Sequence, residues 1–237
     1  MRSRMEFEQL VESIKNCYTL IAGGNSNPAD FVGCLTCLFK GIVVAIEENI
    51  DTLKGLCGED WIVYAICELQ EEYDSRGSLI VKKYMEYRKL CKLASEIDSY
   101  SKSLLSVGNV EGPDPREIEL FLEEILSLTQ LHEDYTEYMI SKIKGLSSID
   151  PELGARATKA FRSGSLSKVV QDITGFYVIL EKFFSVENVR KAMRIDECVP
   201  DSLTTSLADD VLYFLQRSCR RAISTPCLQY LVLQLMW

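Results

Sequence analysis

Apolar residues recur every three or four positions over almost the whole of this chain, and nowhere do they alternate long enough to make a half-buried strand. Phe7, Leu10, Val11, Ile14, Tyr18 and Ile21 give the first such stripe. Gly23, Gly24, Asn25 and Ser26 interrupt it, and Asn27 before Pro28 predicts a cap with proline at the first helical position. Phe31, Val32, Leu35, Leu38, Phe39, Ile42, Val43, Ile46, Ile50 and Leu53 then form one broad apolar face. Cys57 and Gly58 form a C-terminal stop.

A long third helix is predicted over 59–105. Glu59 and Asp60 stand in its first turn, where the macrodipole favours acids, and Ser75 to Ser78 are the place for a kink. Its inward residues are Trp61, Ala65, Ile66, Leu69 and Tyr73, then Ile80, Tyr84, Tyr87, Leu90, Cys91 and Ile97. A loop follows over 107–112. Asp114 and Pro115 open a fourth helix with Ile118, Phe121, Leu122, Ile125, Leu128 and Leu131 inward. The segment 144–151 reads as a connection, and 155–164 as a short helix or a loop. Another long helix covers 166–193, with Thr174 and Gly175 admitting a close neighbour. Pro200 breaks it, and Asp201 or Ser202 caps a last helix ending near Ile223. Long helices joined by short breaks favour antiparallel neighbours. The expected fold is all-α, an elongated bundle of five to seven long antiparallel helices, with no repeat of fixed period. One region spans 1–225, with a possible subdivision near 147–164, followed by an apolar segment over 226–237.

Composition narrows the function classes. The 237-residue chain carries a net charge of −9, which disfavours general electrostatic binding to nucleic acid or anionic lipid. Arg217, Arg220 and Arg221 are the densest basic group, but they close a helix that opens with Asp209 and Asp210, as the helix dipole prefers. Nine irregularly spaced cysteines do not make a secreted disulfide framework. Cys34, Cys67, Cys91 and Cys219 sit in apolar stripes and read as small buried hydrophobes. The N-terminus has no signal-peptide core, and no run reaches the roughly 20 apolar residues of a membrane span. A cytosolic protein is expected.

Chemistry-bearing motifs each lack a component. Cys34 and Cys37 form a CxxC without the further ligands that zinc needs and without the preceding strand of a redox motif. His132, the single histidine, has no nucleophile motif near it and reads as a solvated surface residue. Asp209 and Asp210 resemble the start of a magnesium-binding carboxylate cluster, but position 213 is tyrosine. Glu71, Glu72, Glu123 and Glu124 lack the Glu-x-x-His pattern of a di-iron bundle. Gly23 and Gly24 are not followed by a phosphate-loop signature. No catalytic, cofactor-binding or metal-binding residue is assigned, and no cofactor is expected. Long amphipathic helices without a polar site suit a scaffold whose surface is its function.

Two segments add a resemblance. One is NSNPADFVGCLTCLFKGIVVAIEENIDTL followed by GEDWIVYAICELQEEYDSRGSLIVKKYMEYR; the other, over 176–225, includes SLTTSLADDVLYFLQRSCRRAIST. Both resemble the middle helical-bundle region of subunit 4 of the conserved oligomeric Golgi complex, and the collinear match extends over about 13–225. The resemblance implies a helical-bundle rod within a multisubunit vesicle tether. It implies a non-catalytic role in retrograde transport within the Golgi, peripheral on the cytosolic face. The implied partners are the other subunits, and vesicle-fusion proteins through parts of the family's chain missing here. No functional residue of the family carries over, so no partner-binding residue is assigned. Against the full-length pattern the chain lacks a long N-terminal heptad region and a C-terminal helical domain, and it reads as a fragment. The competing classes are an unrelated helical scaffold or adaptor, and a helical enzyme using carboxylate-bound metal.

The segment 226–237 is expected to be an orphan, with only Gln229 and Gln234 polar beyond Pro226. Poorly packed, it would drive association or membrane adhesion. The alternative is that it folds back beside Leu207, Val211 and Phe214.

Overall fold

The computed structural model describes residues 30–103, 112–196 and 206–223, the side chains at 56 and 57 excepted. The stripe over 7–21, the loop over 107–111, the caps Asp201 and Ser202, and the segment 226–237 lie outside these residues. Among the described residues there are seven helices and no strand. They are α1 (Phe31–Cys57), α2 (Glu59–Tyr87), α3 (Leu90–Ser103), α4 (Pro115–Lys144), α5 (Pro151–Ser163), α6 (Ser165–Ile195) and α7 (Leu207–Ile223).

Several boundaries follow local chemistry. Helix α1 starts later than Asn27 and Pro28 predict, because Asp30 caps it: its carboxylate accepts the Gly33 N–H at 2.7 Å. Gly58, with φ of 81°, ends the helix and donates its N–H to the Lys54 carbonyl. Pro115 opens α4 behind Asp114, which accepts the Arg116 N–H at 2.9 Å. Residues 155–163 prove helical within α5, which is capped by Asp150 with Pro151 at its first position and ends at the extended Gly164.

The predicted third helix is broken, but not at the glycine. It runs unbroken through 75–78 and stops at Tyr87; Lys89, with φ of 52°, separates it from α3. Gly77 serves packing instead. A Cβ there would lie 2.6 Å from a Leu166 methyl, so α2 and α6 approach closely at that point. A Cβ added at Gly175 would meet no atom within 4 Å, so the predicted close neighbour is not there.

The described residues fall into two compact units. The first draws on Met1–Tyr84 and Gln130–Gln171. Helices α1 and α2 form an antiparallel hairpin in it, Phe31 meeting Tyr84 edge-to-face with ring centres 5.6 Å apart. Leu35, Ile42, Ile62, Ile66, Leu69 and Phe161 are almost wholly buried there. The connection after α4 is pinned to the start of α2. Ser148 donates its N–H to Glu59 at 2.7 Å, and Asp150 donates to Asp60 at 3.0 Å. The bond from Lys54, with the Ser148 N–H second, holds the Glu59 carboxyl below its usual range. The first-turn acids therefore do more than complement the dipole. Asp74 accepts the Ser165 N–H at the start of α6, and a Cβ on Gly164 would collide with its carboxylate.

The second unit draws on Met85–Thr129 and Asp172–Trp237. Leu90, Ile97, Ile118, Leu122, Ile125 and Leu180 are buried in it. Tyr100 meets Phe183 edge-to-face at 5.8 Å. Arg88, at the break after α2, forks onto Glu124 at 3.0 and 2.5 Å and lies 5.2 Å over the Phe121 ring. Tyr87 and Cys91, expected inward, are exposed: Tyr87 is the last residue of α2, and in the first turn of α3 the inward position belongs to Leu90.

Candidate functional surface

Each chemistry-bearing residue acquires a definite setting. Cys34 is half-buried and Cys37 exposed, both in the first turns of α1. Cys67 is half-buried, and Cys91 and Cys219 are exposed. The expectation of buried cysteines fails. Cys37 stands two positions from the fully buried Leu35, roughly 200° round the helix, so both cannot face inward. Among the described residues no group of three or more His, Cys, Asp or Glu side chains could hold a metal ion. Replacing Cys34 and Cys37 together by serine is expected to lower stability by no more than about 1 kcal/mol, as for surface substitutions. Chemical denaturation checks this, and a several-fold larger loss would show that the sulfurs are core after all.

His132 is buried, not solvated. Its Nε2 lies 3.1 Å from the Ser167 hydroxyl, while Nδ1 is enclosed without a partner. The ring stacks with Tyr73, which itself stacks on Tyr135 with centres 3.7 Å apart. Burial alone pushes the imidazole pKa down to about 4. His132 is thus a neutral member of an aromatic layer between α2 and α4. Leu131, expected inward, is only half-buried; the inward position on this turn belongs to His132.

Asp209 and Asp210 occupy the first turn of α7. The arginines at its other end do more than complement a dipole. Arg221 forks onto Glu181 of α6 at 2.7 and 3.1 Å, and its guanidinium lies 5.0 Å over Phe184. Arg217 pairs with Glu119 of α4 at 2.7 Å, and Ser218 meets Ser185 at 3.1 Å. Glu181 is only 3% exposed. Two of the three basic residues are therefore turned inward onto carboxylates and form no basic patch. Sequence reasoning missed this group, although Phe214, Ser218 and Arg221 stand at helical spacing on one face.

The remaining candidate is the outer surface of α7. Leu212, Tyr213, Leu215 and Ile223 are exposed, and Ala222 alone of its described side chains is buried. Leu207, Val211 and Phe214 are half-buried on the side that carries Ser218 and Arg221, so they are already engaged. Among the described residues no helix is long and apolar enough to cross a membrane.

Comparison with known proteins places these helices in a family. Residues 2–234 match the family described as COG4 transport protein, middle alpha-helical bundle. The chain is 63% identical over 226 residues to conserved oligomeric Golgi complex subunit 4 of Arabidopsis thaliana, covering 95% of this chain and 30% of that protein. The proteins of the same name from Mus musculus and Homo sapiens are 26% and 25% identical, over 82% and 85% of this chain and 26% of each relative. The chain thus spans about a third or less of the length of these relatives. No solved structure matches it. By the match over nearly its whole length, the chain belongs to the COG4 transport protein middle alpha-helical bundle family.

Proposed function

We propose that this chain is a non-catalytic scaffold segment of a subunit of the oligomeric Golgi tethering complex, and that it supports retrograde transport within the Golgi. The observation that carries this reading is the 63% identity to a subunit bearing that complex's name, over 95% of the chain. The setting of the polar residues supports it. Glu181, Arg221 and His132 are committed to packing and ion pairs inside the units, leaving helix faces for contact. The partners are the other subunits of the complex. Vesicle-fusion proteins are engaged through parts of the subunit outside this chain. Localisation is to the Golgi membrane, peripheral and on its cytosolic face, held there by protein contacts and not by charge, since the chain is acidic.

Affinity capture tests this. The tagged chain, expressed in cells and recovered at physiological salt, is expected to bring down sibling subunits of the complex. Recovery without any of them, from extract in which the endogenous complex stays intact, would overturn the assignment.

A further inference from the structure

Helices α6 and α7 each turn an apolar stripe away from the core of the second unit. On α6 the stripe is Ile179, Lys182, Val186, Val189 and Met193, spaced by three, four, three and four residues. On α7 it is Ala208, Leu212, Leu215, Cys219 and Ile223, spaced by four, three, four and four. Ile179, Val186, Met193, Leu212, Leu215 and Ile223 are each between 40% and 78% exposed. Lys182 and Cys219 are exposed as well, and Val189 is half-buried.

Two contacts set these stripes side by side. Ser185 meets Ser218 at 3.1 Å and Glu181 takes the Arg221 fork, so the helices run antiparallel, with Ile179 level with Ile223 and Met193 level with Asp210. Round α6, the buried Tyr177, Leu180 and Phe184 lie on one side of Ser185 and the stripe on the other. Round α7, Arg217, which reaches Glu119 of α4, lies on one side of Ser218 and the stripe on the other. Both stripes therefore face outward on the same side of the pair. They form the walls of one shallow apolar groove about 21 Å long, the rise of the fourteen residues from Ile179 to Met193.

We propose that this groove receives an amphipathic helix of another protein, and that this helix carries a carboxylate in its apolar face opposite Lys182. The length suits about four helical turns, and the three-and-four spacing supplies the holes into which apolar side chains of a third helix pack. Charge selects the occupant. Lys182 is the one charged residue in the two stripes, and neither stripe holds an acid. A helix laid over the groove takes the ammonium out of water, which is unfavourable unless a carboxylate meets it. A second copy of the chain would bring another lysine and no acid, and would bury two ammonium groups against apolar side chains. A helix with a wholly apolar face is disfavoured for the same reason. This inference does not rest on the Golgi assignment.

The probes are designed helices of roughly three heptads with leucine at the apolar positions. They differ at a single position of the apolar face, which is glutamate, glutamine or lysine. The full chain is titrated against each, labelled for fluorescence anisotropy. The glutamate probe should bind tightest, roughly tenfold more tightly than the lysine probe, and Lys182→Glu should invert that order. Val186→Asp and Leu215→Asp, both at exposed positions where the fold tolerates change, should each weaken the glutamate probe tenfold or more, with circular dichroism unchanged. Equal affinities of the three probes for the native chain, an order that Lys182→Glu leaves as it was, or no saturable binding of any probe overturns the proposal. So does a native chain that sediments as a dimer broken by Val186→Asp, because a second copy is then the occupant.

Discussion

Replacing Glu181 by alanine is expected to destabilise the chain by about 3–5 kcal/mol, the loss typical when one partner of a buried ion pair is removed. Glu181 is 3% exposed, and both of its oxygens are taken by the Arg221 fork at 2.7 and 3.1 Å. Its loss leaves a guanidinium in a site where side chains shield it from water, without the two carboxylate oxygens that meet its fork; the 3.8 Å approach to Glu119 and the 3.4 Å contact with the Ser218 hydroxyl are longer. The double variant Glu181→Leu with Arg221→Met removes both charges and keeps apolar volume against Phe184. It should recover most of the lost stability, because apolar replacement of a whole buried pair is often neutral. Urea denaturation of the three proteins at one pH distinguishes the cases. Equal losses in the single and double variants would mean that the pair contributes net attraction beyond satisfying itself.

Acid should loosen the first unit through His132. Unfolded histidine titrates near 6.5, whereas burial holds folded His132 at about 4. Between those values the unfolded chain binds the extra proton, so stability falls as pH drops from about 6.5 and levels off near 4. The gap of 6.5 minus 4, or 2.5 pH units, is worth about 3 kcal/mol at 1.36 kcal/mol per unit. His132→Phe keeps an aromatic ring beside Tyr73 and cannot take the proton. The stability difference between the native chain and this variant should therefore swing by that amount between pH 7 and pH 4, with carboxylate contributions cancelling. A difference that stays flat with pH would show that the imidazole reaches water in the folded state.

The helices are legible in the sequence because their cause is local. Apolar spacing and caps are properties of neighbouring residues, so α4 begins at Pro115 and α1 ends before Gly58 as the sequence predicts. Features set by tertiary packing are harder to read. The break at Lys89 has no glycine or proline to announce it; it coincides with Arg88 turning onto Glu124 and Phe121. His132 reads as solvated beside Glu133 and Asp134, yet Leu128, His132, Tyr135 and Met139 share one helical face, and their spacing carries the signal. Arg221 is likewise readable as inward from Phe214 and Ser218 on its own face. Its partner Glu181 lies 40 residues away and has no sequence signature. No contact residue is assigned from sequence, and the exposed stripe on α7 emerges only once the neighbouring face is seen to be occupied.

The central claim is that this chain is a scaffold segment interchangeable with the matching region of its relatives. A chimera in which it replaces the 226-residue matching stretch of the Arabidopsis protein, expressed in cells lacking that protein, tests the claim most directly. The account predicts that the chimera co-migrates with the assembled complex on gel filtration and restores retrograde Golgi transport. A chimera that is folded and abundant, yet stays outside the complex and restores nothing, would contradict it.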